Sequence, residues 1–281
     1  MTSRPPAVSR GTAEIDLLRQ LLASRSGISF GQSREAFLEG RLKRRMVKTG
    51  ARSLYEYYRI VTTPGAGTRE LQTLVDEVAI NETSFFRNPP QFEFLAKTAL
   101  PERLRVQQKA GQRRLRVWSA GCSTGQEPYS LAMVFLEAAV FHESWDLALV
   151  GTDVSARAVE HARCGEYEEA QLHGISEARR RRFFERTGSR YAVRGWARRG
   201  IEFVRASLFD GPPWGDADIV FCRNVMIYFD AEYQRKLAAR LASSLAPGGY
   251  LFLGHTESLR GLSDAFRLVA LGSGVAYQRL S

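Results

Sequence analysis

The sequence is short of cysteine, of lysine and of long apolar runs. It has three cysteines, Cys122, Cys164 and Cys222, with no paired or metal-type spacing. That argues against a disulfide framework and a cysteine-built metal site, and it fits the reducing cytoplasm. Cys122 and Cys222 fall at or just after the ends of predicted strands, where small buried thiols serve as packing residues. The histidines His142, His161 and His173 show no ligand spacing either, so no metal is expected. No window approaches the roughly 20 apolar residues of a membrane span. The segment Met1 to Ala13 carries Pro5, Pro6 and Gly11 and no apolar core, so it reads as a loose tail and not as a secretion leader. Lysine stands only at positions 43, 48, 97, 109 and 236, so the net charge of +10 is almost wholly arginine. A basic surface suits nucleic acid, an acidic membrane or an acidic protein partner, and charge alone does not choose among them.

What is present is ordinary globular composition, 44% apolar and 25% charged over 281 residues, enough for one large domain or two. Ile15, Leu17, Leu18, Leu21 and Leu22 recur at helical spacing. A second helix is predicted from Ser33 to Lys48. Phe37, Leu38, Leu42 and Met46 lie on one face, and Arg34, Arg41, Lys43, Arg44, Arg45 and Lys48 on the other, with Gly50 as its stop. Leu54 to Val61 and Thr68 to Ile80 give two more helices. No strand-like alternation precedes Arg113. The expected organisation is a disordered tail over 1–12, a helical N-terminal domain over 13–88, a linker over 89–112 that begins at the helix-stopping Pro89-Pro90, and an α/β domain over 113–281. Residues 165–200 break the α/β rhythm and read as an inserted subdomain, with a helix from Ser176 to Arg186.

The α/β domain is organised around Gly121-Cys122-Ser123-Thr124-Gly125-Gln126-Glu127. The predicted strand Leu115 to Trp118 precedes it and the apolar helical pattern Leu131 to Phe135 follows. Strand, glycine turn and helix N-terminus form the place where an open α/β sheet binds a nucleotide-like ligand. A second strand, Leu147 to Thr152, ends in Asp153, placed to accept both ribose hydroxyls of an adenosine. A dinucleotide would call for the tighter G-x-G-x-x-G turn. Here Glu127 would repel a pyrophosphate but could hold the ammonium of a methionine moiety. With Pro247-Gly248-Gly249 before a late strand, the pattern is that of a class I S-adenosylmethionine-dependent methyltransferase, a Rossmann-like doubly wound sheet behind an all-α domain. Phe266 to Val269 and Val275 to Tyr277 are spaced like a closing hairpin.

Four blocks then resemble the CheR family, the chemotaxis-receptor glutamate methyltransferases. They are Asn81-Glu82-Thr83-Ser84-Phe85-Phe86-Arg87, Ala120 to Ser130, Phe221 to Phe229, and Gly254-His255-Thr256-Glu257-Ser258-Leu259, and the resemblance covers roughly residues 12–281. It implies S-adenosylmethionine as cofactor, S-adenosylhomocysteine as product and chemoreceptor helices as substrate. It also implies a site. Asn81, Thr83 and Arg87 would reach the cofactor, with Gly121 in the turn and Glu127 at or near its amino group. Asp153 would hold the ribose, and Ser207 and Leu208 would lie beside the adenine, Ser207 departing from the usual asparagine. Arg223 and Asn224 would line the methionine end, and Arg87 and Tyr228 would lie nearest the sulfonium and the incoming carboxylate. At least one of Phe85 and Phe86 is expected in the core, and His255 is expected as a turn residue.

The basic helix face, with Arg41, Arg44 and Arg45, would meet the acidic receptor helices. The short loop Arg186 to Arg190 resembles members that do not bind a receptor's C-terminal pentapeptide. A monomer without membrane insertion or nucleic-acid partner is expected. A nucleic-acid methyltransferase is the alternative that the charge invites, and Asn88-Pro89-Pro90 superficially resembles the N-P-P-aromatic motif of amino-group methyltransferases. It precedes the cofactor domain, however, and Gln91 stands where the aromatic should be. A non-catalytic cofactor-binding adaptor is a third possibility, against which Arg87, Glu127, Asp153 and Tyr228 all argue.

Overall fold

The apolar stripes at the start of the chain form helices. In a computed structural model, which describes residues 10–28, 34–138, 145–271 and 274–280, they are α1 (Arg10–Ser26), α2 (Glu35–Thr49), α3 (Leu54–Thr62) and α4 (Ala66–Val78). The expected start of α2 at Ser33, like most of the expected tail and His142, lies outside the described residues. Gly50 ends α2 in the left-handed conformation, φ 76°, and its N–H donates to Met46 O. Ser53 caps α3 by accepting from Glu56 N at 3.1 Å. Leu18, Leu22, Leu38, Leu42, Tyr57 and Leu74 form a fully buried core.

The basic face of α2 is narrower than expected. Positions 38, 42 and 45 share one helical stripe, so Arg45 is buried with Leu38 and Leu42. Its guanidinium donates to both Glu70 oxygens, at 2.9 and 2.6 Å. Tyr57 donates to the same carboxylate at 2.7 Å. The hydrogen bonds to Glu70 raise the Arg45 pKa, and burial foremost, then Glu70, pushes the Tyr57 phenol up. Arg45 is thus a core cross-link, not a docking residue. Arg44 is exposed, and Arg41 is half-buried, 3.6 Å from Glu77.

The chain divides into two units. The helical unit runs to Ile80 and includes Tyr228–Asp230; the α/β unit comprises Asn81–Ile227 and the chain from Ala231 onward. The α/β unit opens with α5 (Pro89–Phe94), a π-helical turn (Leu95–Ala99) and α6 (Leu100–Lys109). The stretch expected as a linker is therefore helical. The prolines that would stop a preceding helix sit in the first turn of this one, where no N–H donor is missed. The helices are tied to the sheet: Gln91 Nε2 donates to Leu253 O at 2.8 Å and to Val275 O at 3.0 Å.

The strands are β1 (Arg114–Ala120), β2 (Asp146–Asp153), β3 (Glu166–Glu168), β4 (Phe184–Thr187), β5 (Arg190–Val193), β6 (Ile201–Arg205), β7 (Ala217–Cys222), β8 (Leu245–Leu253), β9 (Phe266–Leu271) and β10 (Gly274–Arg279). Helices α7 (Gln126–Glu137), α8 (Ala156–Cys164), α9 (Glu177–Phe183) and α10 (Ala231–Ser244) alternate with them. The seven-stranded sheet has the order β6-β2-β1-β7-β8-β10-β9. Its first five strands are parallel, and β10 runs antiparallel to β8 and to β9. This is the doubly wound order of class I methyltransferases. From β1 the chain winds outward through β2 and β6, then returns to β7 on the other side of β1. That reversal puts the ligand crevice at the carboxyl ends of β1 and its neighbours.

The inserted subdomain is a three-stranded antiparallel sheet, β3-β5-β4. The helix expected to Arg186 stops at Phe183, because Phe184 pairs with Val193 and both are buried. Tyr167 of β3 donates to Thr124 O at 2.7 Å, which ties the subdomain to the glycine turn.

Candidate active site

The glycine turn leaves β1 and hangs from the end of β2. Gly121 N and Cys122 N both donate to Thr152 O, at 2.8 and 2.9 Å. Gly121 has φ 79°, and a Cβ there would lie 2.8 Å from Val225 Cγ2. A side chain there would be strained by the backbone conformation and would have to push Val225 Cγ2 aside. Ser123 is itself left-handed, φ 50°. Its N–H donates to Asp153 Oδ2 at 2.9 Å, and Ser155 N donates to Oδ1 at 2.9 Å. Asp153 is thereby fixed at the strand tip. The Ser123 hydroxyl is buried and has no hydrogen-bond partner among the described residues.

Glu127 lies in the first turn of α7, behind Gly125, which offers no side-chain cap. The Ser119 hydroxyl donates to Glu127 Oε1 at 2.7 Å, and Arg223 Nη1 lies 3.3 Å from Oε2. Burial raises the Glu127 pKa, against the opposing pull of Arg223, Ser119 and Arg87. Burial likewise lowers the Arg223 pKa, and Glu127 counters it. Arg223 Nη2 donates onward to the backbone carbonyl of Arg87 at 2.5 Å. The Arg223 Nε is buried without a hydrogen-bond partner among the described residues.

The segment Asn81 to Arg87 is built into the α/β unit. Phe85 packs edge-on against Tyr167 and Phe184, with ring centroids 4.9 and 5.5 Å away. Phe86 holds an unfavourable φ of 49°. Its N–H donates to Ser130 Oγ at 3.0 Å, and the Ser130 hydroxyl donates to Gln126 O at 2.7 Å. Both phenylalanines are therefore core. Arg87 is half-buried, with Nη1 donating to Glu82 O at 3.2 Å.

The structure thus links Glu127 to the Arg87 carbonyl through Arg223, hangs the Gly121 turn on Thr152 and Asp153, and places Asn224 next to Arg223 in the loop after β7. Asn81 and Thr83 are half-buried on the same segment as Arg87. Ser207 and Leu208 are half-buried in the loop after β6, where the Ser207 hydroxyl accepts from Phe209 N at 3.3 Å. Tyr228 is not among these residues. It groups with the helical unit, where the Arg34 guanidinium lies 4.4 Å above its ring. Sequence reasoning gave no role to Ser119, which lies just before a signature block, or to Ser130 and Glu257, which each lie within one.

Two models of one family match the chain: the CheR methyltransferase all-alpha domain over residues 13–79 and the CheR methyltransferase SAM-binding domain over residues 81–275. The chain belongs to the CheR methyltransferase family. It is 37% identical to chemotaxis protein methyltransferase 1 of Pseudomonas aeruginosa over 277 residues, covering 96% of this chain and 99% of that one. It is 38% identical to chemotaxis protein methyltransferase Cher2 of Pseudomonas putida, covering 96% and 99%. It is 39% identical to the chemotaxis protein methyltransferase of Vibrio parahaemolyticus, covering 92% and 94%. This CheR chain is a SAM-dependent methyltransferase of chemotaxis, and the residues present fit that cofactor. The carboxylates of half-buried Glu127 and buried Asp153 suit a ligand that carries an ammonium and a ribose diol, and among the described residues the Ser123 hydroxyl and Arg223 Nε are buried without a hydrogen-bond partner. Among the described residues no helix is long and apolar enough to cross a membrane.

Proposed function

We infer that the chain methylates glutamate side chains on the cytoplasmic helices of chemoreceptors, releasing S-adenosylhomocysteine. The observation that supports this most is the Arg223 bridge, which links Glu127 of the cofactor turn to Arg87 of the substrate-class block. When bound, S-adenosylmethionine supplies an electrophilic methyl group. Glu127 takes the ammonium and Asp153 the ribose hydroxyls. Gly121 leaves room for the cofactor, Ser207 and Leu208 flank the adenine, and Asn81 and Thr83 reach in from their segment. Arg223 and Asn224 line the methionine end. A glutamate carboxylate is already ionised at neutral pH, so no general base is required. Arg87 orients that carboxylate, and the family resemblance alone gives Tyr228 a part in shaping the methyl slot. Positioning and desolvation of the pair supply several kcal/mol. Arg87→Ala should lower methyl transfer to a receptor fragment far more than it lowers affinity for S-adenosylhomocysteine. Unchanged transfer would remove Arg87 from this role.

Arg41 and Arg44 are the α2 residues left to meet an acidic receptor helix. Arg41→Glu with Arg44→Glu should weaken receptor methylation and leave cofactor affinity intact; loss of cofactor affinity would point to a folding role instead. The β4–β5 hairpin turns on Gly188-Ser189 alone. That short turn supports action independent of a receptor pentapeptide, which calorimetry with such a peptide tests. Nucleic acid is not favoured as substrate. Asn88-Pro89-Pro90 is the start of α5, with Asn88 left-handed at φ 63°, and so serves as a helix start.

A further inference from the structure

Glu257 follows β8 in the turn Gly254-His255-Thr256-Glu257 and is 6% exposed. Its carboxylate is wrapped by backbone. Oε2 accepts from Gly254 N at 2.6 Å and from Asn224 N at 2.8 Å. Oε1 accepts from Val225 N at 2.8 Å, Met226 N at 2.7 Å and Ile227 N at 3.4 Å. Four of these donors are successive residues of the loop after β7. They converge because Asn224 is left-handed, φ 59°. Alternating left- and right-handed residues turn consecutive N–H groups to one side, making a backbone nest that binds an anion. The space is closed as well, since a Cβ at Gly254 would lie 2.6 Å from Glu257 Oε2 and 3.0 Å from Asn224 N.

What the nest holds matters for the cofactor. The loop begins at Arg223, which pairs with Glu127, and Val225 lies against the Gly121 turn. Without an anion, four neighbouring N–H dipoles would face one another with no acceptor, and donors left unpaired away from water are destabilising. The loop would then relax, and Arg223 and Asn224 with it.

We propose that Glu257 is a positioning residue of the active site: its carboxylate is the resident anion of the Asn224–Ile227 nest and holds Arg223 and Asn224 against the glycine turn. It touches no reacting atom. The proposal rests on the assignment of Arg223 and Asn224 to the methionine end of the cofactor.

The full-length Glu257→Ala and Glu257→Gln variants test it. Affinity for S-adenosylhomocysteine by calorimetry and methyl transfer are read with and without added formate, at ionic strength matched with chloride. Glu257→Ala should lose roughly tenfold or more in affinity, a loss of one buried acceptor set, with methyl transfer falling in step. Formate should restore part of both, since it refills the nest, and chloride should not. In Glu257→Gln the amide occupies the space but can accept with one oxygen only, so affinity should fall and formate should not rescue it. If Glu257→Ala does not fold, the fall in Glu257→Gln decides. Wild-type affinity in either folded variant, or a loss in Glu257→Ala that formate leaves untouched, overturns the proposal. Arg223→Ala separates the two claims. If it binds normally while Glu257→Ala shows formate rescue, the nest stands and the methionine-end assignment falls.

Discussion

Arg45→Ala should unfold the helical unit, not blunt its docking. The substitution leaves Glu70 as an uncompensated carboxylate inside the α2–α4 contact and removes both of its guanidinium donors. Breaking one partner of a buried pair costs about 3–5 kcal/mol. The two side chains keep 10% and 13% exposure, so some water reaches the survivor and the lower end, about 3 kcal/mol, is expected. Arg41→Ala is the control. Its partner Glu77 is 3.6 Å away and the Arg41 side chain is 30% exposed, so the loss should stay below about 1 kcal/mol. Urea unfolding of the full chain by circular dichroism reads both. The triple variant Arg45→Met, Glu70→Leu, Tyr57→Phe, which removes every polar member together, should recover most of the loss. A wild-type unfolding midpoint for Arg45→Ala, with receptor methylation alone reduced, would refute the cross-link and return Arg45 to the docking face.

Asp218 makes a second such demand. Fully buried, it accepts from Arg103, Gln107 and the Arg116 N–H. Asp218→Ala should therefore cost about 3–5 kcal/mol in denaturant and expose the 89–109 helices to proteolysis. Glu127 sets a pH dependence. In the role proposed for it the ionised form holds the ammonium, and burial raises its pKa above the ordinary value of 4.5. Affinity for S-adenosylhomocysteine should be full at neutral pH and should begin to fall on acidification before an exposed carboxylate would titrate. In Glu127→Gln it should be weak and lack that fall, whereas a calorimetric profile that matches wild type would contradict the assignment. Gly121→Ala combines left-handed backbone strain of about 1–2 kcal/mol with the Val225 clash. It should lower cofactor affinity by roughly tenfold, and Val225→Ala in the same chain should restore part of it; full affinity in Gly121→Ala alone would contradict the packing.

Local pattern carried most of the fold. Gly50, Ser53 and the apolar stripes mark helices that form nearly where expected, and Gly121 to Glu127 with Asp153 mark the sheet's switch point because turn chemistry and strand spacing are local. What escaped depends on partners far away in sequence. Arg45 sits on the 38–42–45 stripe, a visible hint, but Glu70 is 25 residues on. Pro89-Pro90 stops a helix before it and begins one after it, and the distant ties from Gln91 to Leu253 and Val275 and from Arg103 to Asp218 accompany the second outcome. Phe184 became a strand residue through pairing with Val193, which overrode a helical run of arginines. Glu257 carried no local sign that its carboxylate closes on a loop about thirty residues earlier.

The central claim is carboxyl methylation of a receptor, and one measurement addresses it directly. The chain is incubated with S-adenosylmethionine labelled in the methyl group and with a receptor cytoplasmic fragment, DNA or RNA in parallel. The expected result is label on the receptor fragment alone, released as methanol by mild base and lost with Arg87→Ala. Base-stable label, or label on nucleic acid in place of the fragment, would contradict it.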